Sequence, residues 1–163
     1  MKKSLTVLED LQTEKKIIFN LEELHNFFIS LGFKIGKPQN NPTELTLGLQ
    51  KDFLFGYVIF FGFGQQSIDI WNDCSYRIPP LEKKDAKEMV AQPIASKILL
   101  DQYKNLTPPN VETLYKAIDV LSKLSTQQEC IEKLLLEEIY TDNNDLYINN
   151  GSLELVSKGS SNG

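Results

Sequence analysis

The chain of 163 residues is poor in the side chains that most often bind metals or catalyse reactions. It has one histidine, His25, and two cysteines, Cys74 and Cys130, which lie far apart in the sequence. A zinc site needs three or four nitrogen, sulfur or carboxylate ligands at characteristic spacings, and this set does not supply them. We therefore predict no metal site, no cofactor and no catalytic cluster, and we interpret both cysteines as reduced thiols.

Arginine is also scarce. Arg77 is the only arginine among 17 basic residues, and the net charge is −5. Nucleic-acid binders use basic surfaces, and they use guanidinium groups to contact phosphates and guanine edges. This composition argues against DNA, RNA and anionic membranes as direct partners. An acidic surface instead favours an electrostatically steered encounter with a basic protein.

Long apolar runs are missing too. No stretch reaches the roughly 18 apolar residues that suggest a transmembrane helix. The N-terminal sequence reaches Glu9 and Asp10 before any continuous apolar run begins, which argues against an ordinary signal peptide. We therefore expect a cytoplasmic protein.

The turn signals and hydrophobic periodicity predict a single α+β domain over residues 1–157, followed by a flexible tail over 158–163. An antiparallel meander is predicted at about residues 33–73, and a short strand over 15–19 can join it. Its strands include 43–50, 53–64 and 67–73. Before the meander, Asn20 and Glu23 have the spacing of a capping box that opens a helix over 21–31.

The C-terminal half is predicted to be mainly helical and to pack against the meander. One helix carries an apolar stripe formed by Val111, Leu114, Ile118 and Leu121, and a further helix carries Ile131, Leu134, Leu135 and Ile139. Asn150-Gly151 lies between two alternating runs, which is the pattern of a tight hairpin turn. The sequence therefore predicts a short β-hairpin at the C-terminal end.

The stretch FLFGYVIFFGFG, residues 53–64, contains six aromatic residues and three glycines. Its odd positions carry large side chains and its even positions mostly small ones, so the odd positions are predicted to face the core. Gly62 and Gly64 do not belong to a phosphate-binding loop, because Gln65-Gln66 follows where Lys-Ser/Thr would be required. Glycine within a strand is unfavourable unless another group approaches the backbone closely.

The second face of this predicted sheet is the candidate partner-binding site. It collects five residues from consecutive strands: Glu44, Phe60, Asp69, Trp71 and Asp73. Trp71 and Phe60 are the expected aromatic anchors, and the carboxylates supply charge. The alternative is that one of the protein's own helices covers this face.

These features favour a small acidic protein–protein interaction module that is not an enzyme, specifically an inhibitor or neutraliser of a basic partner of the toxin-immunity or counter-defence type. One alternative is a secretion chaperone or adaptor that holds a partner segment on its sheet. A second is a small enzyme or ligand-binding domain with a pocket between sheet and helices, which would use Tyr57, Cys74, Arg77 or the carboxylates.

Overall fold

The computed structural model describes the backbone of residues 17–156 and the side chains of 19–156. This part of the chain contains one seven-stranded sheet. Its strands are β1 (Ile17–Phe19), β2 (Lys34–Ile35), β3 (Leu45–Asp52), β4 (Gly56–Gly62), β5 (Cys74–Arg77), β6 (Ile131–Thr141) and β7 (Leu146–Leu155). The order is β1-β7-β6-β3-β4-β5, with antiparallel neighbours throughout, and β2 pairs in parallel with β7.

The helices in the described residues are α1 (His25–Ser30), α2 (Gln65–Trp71), α3 (Lys83–Ala91), α4 (Ser96–Leu99) and α5 (Val111–Gln127). The reciprocal hydrogen bonds of the predicted capping box form, because the Asn20 amide donates to Glu23 and the Glu23 amide donates to Asn20. The helix is shorter than the predicted 21–31, since α1 begins at His25 and its N-cap residue, Leu24, makes no side-chain cap. Within residues 17–156, none of the helices has both the length and the apolar character needed to cross a bilayer.

The core lies between the sheet and helices α3 and α5. The helix α5 buries Leu114, Ala117, Ile118 and Leu121, as its periodicity predicts. Opposite it, Leu47 of β3 pairs with Phe61 of β4, and all these side chains are fully buried. The odd positions of the aromatic stretch therefore face the core from Ile59 onwards. Phe53 and Phe55 lie before β4 in the hairpin loop and are exposed.

The overall class is mixed α+β, but the predicted meander is only partly present. β3, β4 and β5 follow one another as antiparallel neighbours, whereas β2 and β1 pair with β7. The predicted strand at 67–73 is wrong, because residues Gln65–Trp71 form α2. This helix begins after Gly64, whose φ of 86° turns the chain out of the strand direction. The boundary at residue 157 and the tail at 158–163 lie outside the described residues.

The predicted helix near residues 125–139 is also wrong, since this segment forms the central strand β6. Its buried residues include Leu134, Leu136 and Ile139. The register shifts between Leu136 and Ile139, and the extra residue moves Ile139 back to the buried face. A bulged strand therefore shows the three-residue spacing of a helix, and pairing with β3 and β7 decides its conformation.

The C-terminal hairpin has its turn at a different place. Asn150 and Gly151 lie inside β7, and β6 connects to β7 after Thr141. At the turn, the Asp142 carboxylate accepts hydrogen bonds from the backbone amides of Asn144 and Asp145. Gly151 has a packing role instead, since a Cβ at this position would lie 3.0 Å from the backbone oxygen of Leu135.

Candidate functional site

The sheet has an open region on the face opposite α3 and α5. A groove of about 570 Å³ lies there, and its lining includes Gln50, Phe55, Val58, Phe60, Tyr76 and Arg77. Because side chains alternate along a strand, Val58 and Phe60 point away from the core that Ile59 and Phe61 enter. The groove forms on the outer face of β4 because the even-numbered positions of this strand, apart from Phe60, carry small or medium-sized residues.

Two glycines bring other parts of the chain close to the outer face. The Phe60 ring lies where a Cβ of Gly48 would be, so Gly48 lets this ring pack closely against β3. A Cβ at Gly62 would lie 2.7 Å from Cγ1 of Ile68 in α2. The close approach that strand glycines predict is therefore confirmed, and the approaching groups are the protein's own side chains.

The loop between β3 and β4 projects three apolar side chains beside the groove. Phe53 is 99% exposed, Leu54 77% and Phe55 57%. The loop has a defined conformation, because the Asp52 carboxylate accepts from the amides of Leu54 and Phe55 at 2.8 and 3.0 Å. Gly56 completes the turn with a φ of 84°. Asp52 therefore acts as a local turn former.

The polar groups around the groove are mostly engaged within the chain. Nη1 of Arg77 donates to Oε1 of Gln92 at 2.7 Å and to the backbone oxygen of Tyr76 at 2.8 Å. The hydrogen bond with Cys74, together with burial, raises the pKa of Tyr76 to about 12. Burial also raises the pKa of Cys74. A thiol whose pKa is raised stays protonated near pH 7 and is a weak nucleophile.

Tyr57, the other candidate phenol, lies at the edge of the core. Its hydroxyl is within hydrogen-bonding distance of the backbone oxygens of Gln128 and Ile131, at 2.9 and 2.7 Å. Burial raises the pKa of Tyr57 well above its usual range. This tyrosine therefore fixes the start of β6. At this place the space between sheet and helices is filled by packed core side chains and holds no pocket.

The five residues predicted as a partner-binding site do not share one sheet face. Phe60 lies in the groove and is 9% exposed. Asp69 and Trp71 belong to α2, where Trp71 is 77% exposed and Asp69 accepts from the Gln65 amide. Asp73 accepts hydrogen bonds from backbone amides at the start of the segment that contains α4.

Glu44 lies just before β3, near Gly64. Burial and the neighbouring Glu138 raise the pKa of Glu44. A role in partner binding for these five residues stays a prediction.

Sequence reasoning missed Gln50, Val58 and Tyr76 as groove residues. Tyr76 lies on β5, a short strand that the sequence pattern does not predict.

The class of protein follows from comparison with known families. A family model described as an ATP-grasp domain matches residues 7–155. The chain therefore belongs to the ATP-grasp domain family.

Relatives with established names point to one kind of ligase. The beta subunit of ADP-forming acetate–CoA ligase I from Pyrococcus furiosus is 30% identical over 97 residues, which are 60% of this chain and 41% of the relative. ADP-forming acetate–CoA ligase I from Archaeoglobus fulgidus is 31% identical over 94 residues, which are 58% of this chain and 14% of the relative. The chain thus spans less than half the length of these relatives.

Solved structures show the same fold. A dinucleotide-forming acetyl-coenzyme A synthetase 1 of Ca. Korarchaeum cryptofilum, in complex with coenzyme A, Ca-AMPCP and HgCl+, has a TM-score of 0.67 and 25% identity, covering 74% of this chain and 51% of that chain. A second structure of this synthetase covers 94% of this chain and 98% of that chain with a TM-score of 0.76. Its identity of 16% supports the fold alone.

These findings correct the functional prediction. An inhibitor, immunity or counter-defence protein is wrong, because the chain belongs to the ATP-grasp domain family and its relatives are ligases. The prediction of a non-enzyme is wrong for the same reason. The family match extends over residues 7–155, so it depends on the whole domain and not on one compact catalytic motif.

The family implies ATP, and the groove fits only part of that molecule. The Phe60 and Tyr76 rings, with centroids 6.4 Å apart, and the Gln50 amide form a wall suited to an aromatic base. A triphosphate with its cation needs free basic groups and carboxylates. Arg77 is bonded to Gln92, and Asp52 accepts from its own loop. Among residues 17–156, no three His, Cys, Asp or Glu side chains are grouped so that they could hold a metal ion.

Proposed function

We propose that the chain is one part of an ADP-forming acid–CoA ligase, and that its open sheet face lines the nucleotide side of that enzyme. The family match over residues 7–155 carries this proposal. The relatives named as ADP-forming ligases supply the reaction class, which joins a carboxylic acid to coenzyme A as ATP is converted to ADP.

The groove residues would position the base. The rings of Phe60 and Tyr76 offer an apolar surface, and Phe60 is fixed in place by its contact over Gly48. The Gln50 amide can both donate and accept hydrogen bonds at the edge of a base. Phe55 and Val58 would exclude water from one side.

The phosphate and metal groups would be bound outside the described groove. Arg77 is the one basic residue of the described groove lining, and it is bonded to Gln92. We also propose that the chain works with a protein partner in the cytoplasm, where ATP and coenzyme A are available. One relative is itself named as a subunit, which supports a multi-subunit arrangement.

Nucleotide binding tests this proposal directly. Titration calorimetry of the purified chain with ADP should show weak binding, and Tyr76→Ala should weaken it at least fivefold because the base loses a ring contact worth about 1 kcal/mol or more. Ile98→Ala is the matched control, since both side chains are 53% exposed. Inorganic phosphate should not compete, because the base supplies the contact.

The reaction itself is tested with the polypeptides that co-purify with the chain from its native host. With ATP, acetate and coenzyme A, that preparation should release ADP and acetyl-coenzyme A, measured by mass spectrometry. Addition of the Tyr76→Ala chain in place of the unchanged chain should reduce the rate. ADP binding that is equal in Tyr76→Ala and Ile98→Ala would contradict the role of the groove, and absence of all nucleotide binding and turnover would contradict the proposed function.

A further inference from the structure

The β3–β4 loop and the neighbouring groove form one continuous apolar surface. We name it the tip-and-groove surface and define it by Phe53, Leu54, Phe55, Val58, Tyr76 and Ile78. Phe55 belongs to both parts, since it follows Leu54 in the loop and also lines the groove. Adjacent exposed apolar side chains in a contiguous patch of several hundred Å² are typical of interaction sites.

The tip is held in one conformation before it meets a partner. The Asp52 carboxylate accepts two backbone hydrogen bonds from the loop, and Gly56 supplies the positive φ that closes it. Nζ of Lys51 donates to the backbone oxygen of Glu129 at 3.2 Å, which ties the base of the hairpin to the segment before β6. Binding through an ordered loop loses less conformational entropy than binding through a mobile one.

The exposed area approaches what a stable interface needs. Phe53, Leu54, Phe55, Tyr76 and Ile78 are 99%, 77%, 57%, 53% and 49% exposed. At about 200 Å² for a large side chain, these five contribute roughly 670 Å², compared with the approximately 800 Å² per partner of a standard interface. Polar groups at the rim of the groove, including Gln50, can supply the remainder.

The surface contains both a projecting loop and a groove, and both are apolar. A cavity of about 150 Å³ can hold one benzene ring, so a groove of about 570 Å³ has room for Phe53 and Leu54 together. Its two charged lining residues, Asp52 and Arg77, are bonded within the chain, so contact between two copies would depend on the apolar side chains. A surface with these properties can bind itself across a two-fold axis.

We propose that the tip-and-groove surface docks a second copy of this chain, so that the tip of each protomer enters the groove of the other. The contact is made by side chains. It does not form by pairing of two sheet edges, because the edge strand β5 is short and is followed by Pro79-Pro80. The groove is then closed to other ligands. Self-association does not depend on the ligase proposal, but it uses the same groove.

Sedimentation velocity of the full chain from 1 to 100 µM tests the proposal. The expected result is a concentration-dependent monomer–dimer equilibrium. Replacing both Phe53 and Leu54 with Ser should raise the dimer dissociation constant at least tenfold, because aromatic and large apolar anchors dominate such contacts. The matched control replaces Ile70 and Ile94, which are 69% and 72% exposed elsewhere, and should leave the constant unchanged.

A strictly monomeric chain at 100 µM would overturn the proposal, as would a dimer that the Phe53 and Leu54 replacements do not weaken. The fold of each variant is checked by circular dichroism, and exposed side chains of this kind can be replaced without loss of the core.

ADP separates this proposal from the preceding one. If both are correct, ADP shifts the equilibrium towards monomer, whereas a dimer that responds to the Ser variants but not to ADP supports docking and contradicts the nucleotide role of the groove.

Discussion

At the scale of single residues, Gly48 shows how one missing Cβ shapes the outer face of the sheet. The Phe60 ring lies directly over this glycine, in the space that a Cβ would occupy. Phe60 is therefore only 9% exposed although it points away from the helical layer. The sequence indicates that something must approach the strand glycines, but it does not indicate which group does so.

Gly48→Ala should destabilise the fold. The new methyl group would overlap the Phe60 ring, and overpacking of this kind typically costs about 1–3 kcal/mol. Urea unfolding followed by circular dichroism measures the free energy of unfolding. The double variant Gly48→Ala, Phe60→Leu should recover part of the loss because the smaller side chain can move aside. An unchanged midpoint in the single variant would show that the ring does not occupy this place.

At the scale of secondary-structure elements, Asp73 illustrates a residue whose role depends on its neighbours in space. The sequence predicts Asp69 and Asp73 on one strand as charged partner contacts. In the structure, Asp69 lies on α2, and the two Asp73 oxygens accept from the amides of Ile94 and Ala95 at 2.7 and 2.9 Å. Asp73 therefore orders the chain just before α4.

Asp73→Ala should lower the free energy of unfolding by roughly 0.5–2 kcal/mol, the range observed when a capping side chain is removed. Asp69→Ala is the matched control, and we expect a change within about 0.5 kcal/mol because Asp69 is exposed on α2 and bonds only Gln65 among the described contacts. Thermal unfolding of both variants makes the comparison. Equal effects would contradict the role of Asp73 in ordering the chain before α4.

At the scale of the whole molecule, the centre of the sheet is formed by segments that are distant in sequence. β6 lies between β3 and β7, and β3 connects it to β4 and β5. Long-range pairing of this kind must form before the core is complete. The most stable backbone hydrogen bonds are therefore expected in β6, and the least stable in the exposed β3–β4 loop.

Native-state hydrogen exchange tests this order of stability. Amides of residues 133–136 should exchange in the slowest class, because both neighbours of β6 accept or donate hydrogen bonds along it. The Phe53 amide at the exposed tip should exchange much faster. Similar rates at these two places would contradict the central position of β6 in the sheet.

The sequence by itself determined those features that depend on short-range contacts or on parity. These include the capping box at Asn20, the stripe of α5 and the burial of the odd positions from Ile59 to Phe63. Each follows from chain geometry over a few residues. The mixed α+β class could also be predicted from the sequence, because strand and helix periodicities are both present.

Tertiary structure alone decided the remaining features. A bulge gives β6 the spacing of a helix, and only pairing with β3 and β7 makes it a strand. Gly64 turns the chain into α2, so Asp69, Trp71 and Phe60 do not form the single surface that the sequence suggests. The groove combines β3, β4 and β5 with the hairpin tip. Contacts between distant segments decide the conformation of β6 and α2 and the position of the groove. The local propensity of these segments is too weak to choose between helix and strand.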